Sequence, residues 1–340
     1  MNGSVRIIDT AEAGHLLWAA KDIVLTTHAN PDGDALGSQF ALYQALRSAD
    51  KQVRIINCDA PPENMMLLSE RIQFETYDAD AHDTILNGAD LIVVLDLNDI
   101  RRIDRMEAAV RASGAAKLVI DHHLEPMPFA DQYCSVPEAS STAEIIFDIL
   151  DAKGCMVTEA IATGIYVGIV TDTGSFRFDR TTARLHRIVA RLLEAGVDPV
   201  TTHRLIYDNY PVNRMRLLGR ILSGIQQYCD GRVSLLIVTA EMFADTGTGV
   251  EDVENVVNNG LAIRGVEAAA LITEMEGAIK ISFRSRARVG VDNVARQFDG
   301  GGHRYAAGAT ALNIAVEDLA PRVAAALCEA VRAACDAPDT

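Results

Sequence analysis

An α/β fold is predicted for this 340-residue chain: an N-terminal, mostly parallel sheet flanked by helices, then a helical connector, then a smaller C-terminal α+β domain. Three observations predict it. Residues 1–130 alternate β-rich apolar runs with amphipathic helical patterns, as parallel strands covered on both faces do. From about 142 to 228 the pattern is helical, and after 231 strand-like patterns return. A chain of this length is also long for one core, so more than one domain is expected.

Taken in order, the first strand candidate is DIVLTT (22–27), followed after a turn by a helix over 35–49 (ALGSQFALYQALRSA). QVRIIN (52–57), LIVVLD (91–96) and AKLVID (116–121) are the next strands, with DRMEAAVRAS (104–113) helical between the last two. Helical periodicity then runs through 142–152, 158–171, 181–196 and 212–228, punctuated by Gly196 and Pro199. Strands are expected at 232–240, 266–275 and 278–285, and a closing helix at 316–334. The domain boundaries implied are 1–198, a connector at 199–228, and 229–340.

Apolar residues are 49% of the chain and charged residues 23%, which fits a soluble globular protein. No apolar run reaches the length of a membrane span, and the first residues lack a basic stretch followed by a hydrophobic one, so a cytoplasmic protein with no membrane partner is expected. Six cysteines (58, 134, 155, 229, 328, 335) form no CxxC pair and read as free thiols. The net charge of −16 argues against a broad basic face for long or duplex nucleic acid, while leaving room for a small anionic substrate.

Four apolar segments end in Asp or His. His28-Ala-Asn-Pro-Asp32-Gly-Asp34 follows the first strand, Asp96 closes LIVVLD, Asp121-His122-His123 closes KLVIDHH, and Asp172 closes YVGIVTD. Open α/β sheets bind ligands beyond strand C-terminal ends, where three of these motifs fall. Asp32 and Asp34, one residue apart, can diverge toward two ions, and the helix starting near Asp34 points its positive end the same way. An ionised Asp96 at the edge of a buried strand requires a partner. Alternation along an extended chain would send His122 and His123 to opposite sides. Asp32, Asp34, Asp96 and Asp172 sum to −4, which two divalent ions would cancel; without metal some of these carboxyls should hold protons. Carboxylates and imidazoles without thiolates suit manganese, with magnesium, cobalt or zinc as substitutes. Two ions sharing a carboxylate can convert water to hydroxide and clamp a phosphoryl group, so the residues point to a metal-dependent phosphoesterase. His15, His82, His186 and His203 lie outside these motifs and read as ordinary.

In the second half, Gly300-Gly301-Gly302-His303 lets backbone N–H groups approach an anion, and Arg284, Ser285 and Arg286 add donors near a strand end. Arg264 is a weaker candidate; Arg288, Arg296 and Arg304 read as surface or rim residues.

Together these motifs resemble the DHH phosphoesterase superfamily, whose defining Asp-His-His stands at 121–123. The segment FRSRARVGVDNVARQFDGGGHRYAAG (283–308) resembles the DHH-associated C-terminal domain, and TDTGSFRFDRTTARLHRIVARLLEAGVDP (171–199) resembles the bacterial bifunctional oligoribonuclease (nanoRNase) and 3′-phosphoadenosine-5′-phosphate phosphatase group. The resemblance implies that His28, Asp32 and Asp96 hold one metal and Asp34, Asp96, His122 and Asp172 the other, with Asp96 bridging. It implies that His123 contacts the scissile phosphate and Asp121 orients an imidazole, while Arg284, Ser285, Arg264 and the Gly300–His303 loop bind substrate across an interdomain cleft. Expected substrates are RNA or DNA oligomers of two to five residues and adenosine 3′,5′-bisphosphate, and a homodimer is in keeping with the family. Three other readings stay open: a cyclic or linear dinucleotide phosphodiesterase, a RecJ-type single-strand exonuclease, and a non-catalytic nucleotide sensor. The 5% aromatic content and the acidic balance weigh against the exonuclease, and the intact set of ligand positions weighs against the sensor.

Overall fold

Residues 5–286 and 288–336 are described by the computed structural model, with the side chains at 303, 335 and 336 outside that description. The chain divides into Met1–Asn209 and Tyr210–Thr340, a division that falls within the segment 199–228.

The first unit runs α1 (Thr10–Ala19), β1 (Asp22–Thr26), α2 (Gly33–Ser48), β2 (Gln52–Asn57), α3 (Met66–Ser69), β3 (Glu75–Thr76), α4 (Ala79–Gly88) and β4 (Leu91–Leu95). It continues through α5 (Glu107–Ala112), β5 (Ala116–Asp121), β6 (Gln132–Ser135), α6 (Thr142–Ala152), α7 (Glu159–Asp172), α8 (Ala183–Glu194) and α9 (Pro199–Tyr207). The sheet order is β3-β2-β1-β4-β5-β6, and every neighbouring pair is parallel. Because β2 lies on one side of β1 and β4 on the other, the winding direction reverses there and opens a crevice at the strand C-termini. The continuous apolar runs serve two faces. Leu91, Val93 and Leu95 of β4 join a core with α1, α2, α6, α7 and α8, whereas Ile92 and Val94 join one with α4 and α5. Each buried strand therefore needs an apolar residue at every position.

Helices α2 and α7 meet without side chains between them. A Cβ on Gly37 would lie 2.4 Å from the Gly164 carbonyl oxygen, and one on Gly164 would lie 2.7 Å from that of Gly37. This approach brings Asp34, in the first turn of α2, toward Asp172, the last residue of α7.

The second unit runs α10 (Val212–Ser223), β7 (Gln226–Tyr228), β8 (Val233–Val238), α11 (Ala240–Thr246), α12 (Val257–Leu261), β9 (Ala268–Met275), β10 (Ala278–Ser285), α13 (Asp292–Arg296), β11 (Gly301–His303), β12 (Ala306–Leu312) and α14 (Val316–Asp336). Its sheet order is β11-β12-β10-β9-β8-β7, antiparallel except for β8 with β9. One face packs on α14 through Val323, Leu327 and Val331, the other on α10 and α12 through Leu217, Ile221 and Val257. No helix among the described residues is long and apolar enough to cross a membrane.

Several elements differ from expectation. The helix read over 212–228 ends at Ser223, because Gly224 caps it and 226–228 pair with β8 instead. The helix read over 104–113 is a 3-10 segment to Met106 and then α5, broken where Asp104 takes φ +50°. The short strands β3 and β6 carry too few residues for a periodic signal, and β11–β12 is Gly/Ala-rich, without the β-branched residues that mark a strand.

The α2–α7 contact gives a stability prediction. Gly164→Ala forces a Cβ onto backbone and should cost about 1–3 kcal/mol in urea unfolding. Gly88→Ala, where nothing lies within 4 Å, should stay within about 0.5 kcal/mol. Equal stabilities for the two variants would contradict the close approach.

Candidate metal centre

Asp96 stands directly after β4 in the left-handed region, at φ +60°, with its N–H donating to the Ile120 carbonyl at 3.1 Å and only 3% of its surface exposed. Such a backbone costs roughly 1–3 kcal/mol for a residue with a side chain and is retained where its direction matters. Around it stand His28, two residues past β1; Asp32, the N-cap of α2; Asp34 in the first turn; Asp121, closing β5, with His122 and His123 beyond it; and Asp172.

Three overlapping groups each offer ligand atoms within 4.8 Å of one another: His28, Asp32 and Asp96; Asp96, His122 and His123; and Asp34, His122 and Asp172. His28 Nε2 lies 3.6 Å from Asp96 Oδ2. His122 Nε2 lies 3.5 Å from Asp172 Oδ2, 3.6 Å from Asp96 Oδ1 and 4.0 Å from Asp34 Oδ2. Asp32 and Asp34 thus fall into different groups. His122 and His123 do not separate: β5 ends at Asp121, so strand alternation stops there. Their rings stack edge-to-face at 4.8 Å, and His123 Nδ1 also comes within 3.8 Å of Asp96 Oδ1.

Neighbouring groups fix the orientation of these side chains. The Nδ1 atom of His28 lies 2.8 Å from the Ala29 carbonyl; donating there, it leaves Nε2 as a lone-pair atom, buried beside the carboxylates and without a hydrogen-bond partner among the described residues. His123 Nδ1 lies 2.6 Å from Asp121 Oδ1. Asp34 accepts the amides of Thr142 (2.7 Å) and Ala143 (2.9 Å), while Thr142 Oγ1 donates to Asp96 Oδ1 at 3.0 Å. Sequence reasoning missed Thr142. Its signal, Ser141 capping the helix with Glu144 in the first turn, is legible, but nothing in it points across more than a hundred residues to Asp34.

The electrostatics are unresolved without a cation. Burial, then repulsion from Asp96 and the other carboxylates, pushes Asp34 and Asp172 well above the usual carboxylate range. Burial opposes ionisation of Asp96 too, but His28, His122 and His123 outweigh it and hold that carboxyl below its ordinary value. Burial lowers all three imidazoles; it prevails at His122, while carboxylate partners raise His28 and His123. An orphaned imidazole nitrogen, mutually repelling carboxylates and an all N/O donor set fit hard-to-borderline divalent cations.

In the second unit, the register sets His303, Ala306 and Arg284 in one row across β11, β12 and β10, with Ser285 next along β10. The side chain of His303 lies outside the described residues. Half-buried Arg284 donates to the Phe283 carbonyl at 2.9 Å, and burial lowers its pKa despite nearby Glu254. Ser285 Oγ donates to the Val289 carbonyl at 2.5 Å. Arg264 is exposed before β9, with no side-chain partner among the described residues. Gly300 and Gly302 lack room for a Cβ because β12 passes within 2.2 and 2.7 Å of the position it would take, whereas Gly301 faces open space.

A profile of the DHH family, N-terminal domain, matches residues 22–169, and one of the DHHA1 domain matches 233–333. The bifunctional oligoribonuclease and PAP phosphatase NrnA of Thermus thermophilus is 33% identical over 308 residues, 90% of this chain and 89% of that one. Its Bacillus subtilis namesake is 30% identical over 295 residues, 85% and 88% of the two chains. Among solved structures, an exopolyphosphatase-related protein from Bacteroides fragilis superposes with a TM-score of 0.91 at 32% identity, covering 96% of this chain and 97% of that one.

The pKa shifts set a pH dependence. Raised carboxyls hold protons more tightly folded than unfolded, so Asp34 and Asp172 lose stability as pH climbs from about 3.9, the unfolded value, through their folded values. The contribution of His28 and His123 is likewise lost as pH rises through their raised values; lowered His122 opposes them. The metal-free protein should melt lower at about pH 8 than at about pH 5.5, and saturating Mn2+ should raise the melting temperature more at the higher pH. In calorimetry, Asp34→Asn/Asp172→Asn should flatten that slope; an unchanged slope would contradict the assignment.

Proposed function

The chain belongs to the DHH family, and we propose that it is a two-metal phosphoesterase that hydrolyses oligonucleotides of two to five residues to mononucleotides and adenosine 3′,5′-bisphosphate to AMP, with manganese as the preferred ion. The observation that carries this reading is the gathering of carboxylates and imidazoles around one buried carboxylate, Asp96, beside an orphaned His28 Nε2. The substrate pair is supported by the two activities in the names of the Thermus and Bacillus relatives. The net charge of −16 supports short substrates over long strands.

His28, Asp32 and Asp96 would hold one ion, and Asp34, Asp96, His122 and Asp172 the other. When bound, such ions supply a water-derived nucleophile and offset charge on phosphoryl oxygens. The remaining work falls to the chain. Asp121 accepts a hydrogen bond from His123 Nδ1–H, which orients the ring so that the imidazole would donate through Nε2 to a phosphoryl or leaving oxygen. The Thr142 hydroxyl and the first amides of α6 hold Asp96 and Asp34 in place, so neither carboxylate has to reorganise during turnover.

Product analysis with manganese tests this reading, using 5′-labelled RNA from dinucleotide to pentanucleotide beside a strand of about twenty-four residues. The short oligomers should be consumed to mononucleotides and the long strand left nearly intact. Comparable loss of the long strand would overturn the short-substrate reading. Turnover of cyclic dinucleotides with linear oligomers untouched would overturn the substrate assignment. Asp96→Asn should lower kcat by about a thousandfold or more while the chain stays folded by circular dichroism.

A further inference from the structure

Building on that phosphoesterase reading, we propose that Arg102 and Arg180 bind the substrate phosphate in the first unit, one set against each half of the carboxylate cluster. Three arginines follow β4 closely. Arg101 is tied to Asp99, with Nε 2.9 Å from Oδ2, and Arg105 faces Asp59 at 3.4 Å. Arg102, between them, is exposed and has no side-chain hydrogen bond or ion pair among the described residues. Its backbone fixes its place: the Arg102 carbonyl accepts the Ala29 N–H at 2.7 Å, joining it to the residue after His28. From there its charge reaches both His28 and His123.

Arg180 stands against the other half. Its Nη1 lies 3.1 Å from the Ala139 carbonyl oxygen and 3.4 Å from both the carbonyl oxygen and Nδ1 of His122. The side chain is exposed, and Nε and Nη2 have no partner among the described residues. Its charge reaches His122 and Asp172. One edge of the guanidinium is therefore anchored on backbone, and the rest of the fork is left for an oxygen anion.

Charge balance supports the pair. Several other arginines in this unit face carboxylates, as Arg54 does Glu75 and Arg191 does Asp151, while Arg47 and Arg177 bond carbonyl oxygens. In a chain of 47 acidic and 31 basic residues, two guanidiniums beside this carboxylate cluster make no ion pair with it among the described residues. Two divalent ions would cancel the four carboxylates, and an incoming phosphodiester or phosphomonoester brings fresh negative charge. Arg102 and Arg180 supply the cations to meet it, in the bidentate geometry suited to phosphate.

The test compares wild type, Arg102→Gln and Arg180→Gln in the full-length, manganese-loaded protein, with inorganic phosphate as the titrant in calorimetry. Kinetics on bis-p-nitrophenyl phosphate run alongside. Each variant should weaken phosphate binding about tenfold and raise KM by a similar factor, with Mn2+ affinity within about twofold of wild type. Arg180→Lys, which keeps the charge but not the fork, should fall between. Unchanged phosphate affinity in both glutamine variants would overturn the proposal. So would loss of Mn2+ binding in place of phosphate binding, since the arginines would then only support His28 and His122. A wild type that binds phosphate but turns over no phosphoester would sink the phosphoesterase reading, while the phosphate titrations still decide the arginine claim.

Discussion

Like charges held out of water around Asp96 are the constraint on which the first unit depends. Asp34 and Asp96 are 1% and 3% exposed, and burial at that level makes an ionised carboxylate costly unless something compensates. The protein compensates in parts. Histidines draw Asp96 below its ordinary pKa, and the amides of α6 satisfy both oxygens of Asp34. Asp34, despite those amides, and Asp172 both stay displaced upward. Protons on the raised carboxyls relieve the crowding in part, and two divalent cations would relieve it by bringing positive charge to the middle. The features that create the crowding all belong to the scaffold: the reversal of winding between β1 and β4, the Gly37–Gly164 contact, and the left-handed Asp96.

The same arrangement shows how a strongly acidic chain can act on anions. Four of its carboxylates, Asp32, Asp34, Asp96 and Asp172, gather where cations would neutralise them, and the proposed phosphate contacts are guanidiniums outside ion pairs rather than a spread of lysines. Binding of this kind is short-range and geometric, suited to one or two phosphates rather than a long backbone. The family to which the chain belongs, and relatives named for oligonucleotide and bisphosphate substrates, agree with that scale.

Much of this was legible in the residues, for identifiable reasons. LIVVLD reads as a central strand because both faces of β4 are buried, so no polar residue interrupts it until the one that faces the crevice. His28, Asp32, Asp34 and Asp172 announce themselves as ionisable groups closing apolar segments. What the residues conceal is long-range or conformational. No local pattern places the amides of Thr142 and Ala143 on Asp34, or gives Asp96 a positive φ. Strand alternation misleads at His122 and His123 because the strand stops one residue too soon. The Gly300–Gly302 run looks like a loop open to an anion, yet two of its glycines are demanded by the neighbouring strand.

Anomalous diffraction at the manganese edge, from crystals of the full chain grown with Mn2+, tests the central claim most directly. The account predicts two peaks, one among His28, Asp32 and Asp96 and one among Asp34, Asp96, His122 and Asp172, with Asp96 reaching both. A single peak, or peaks away from Asp96, would contradict it.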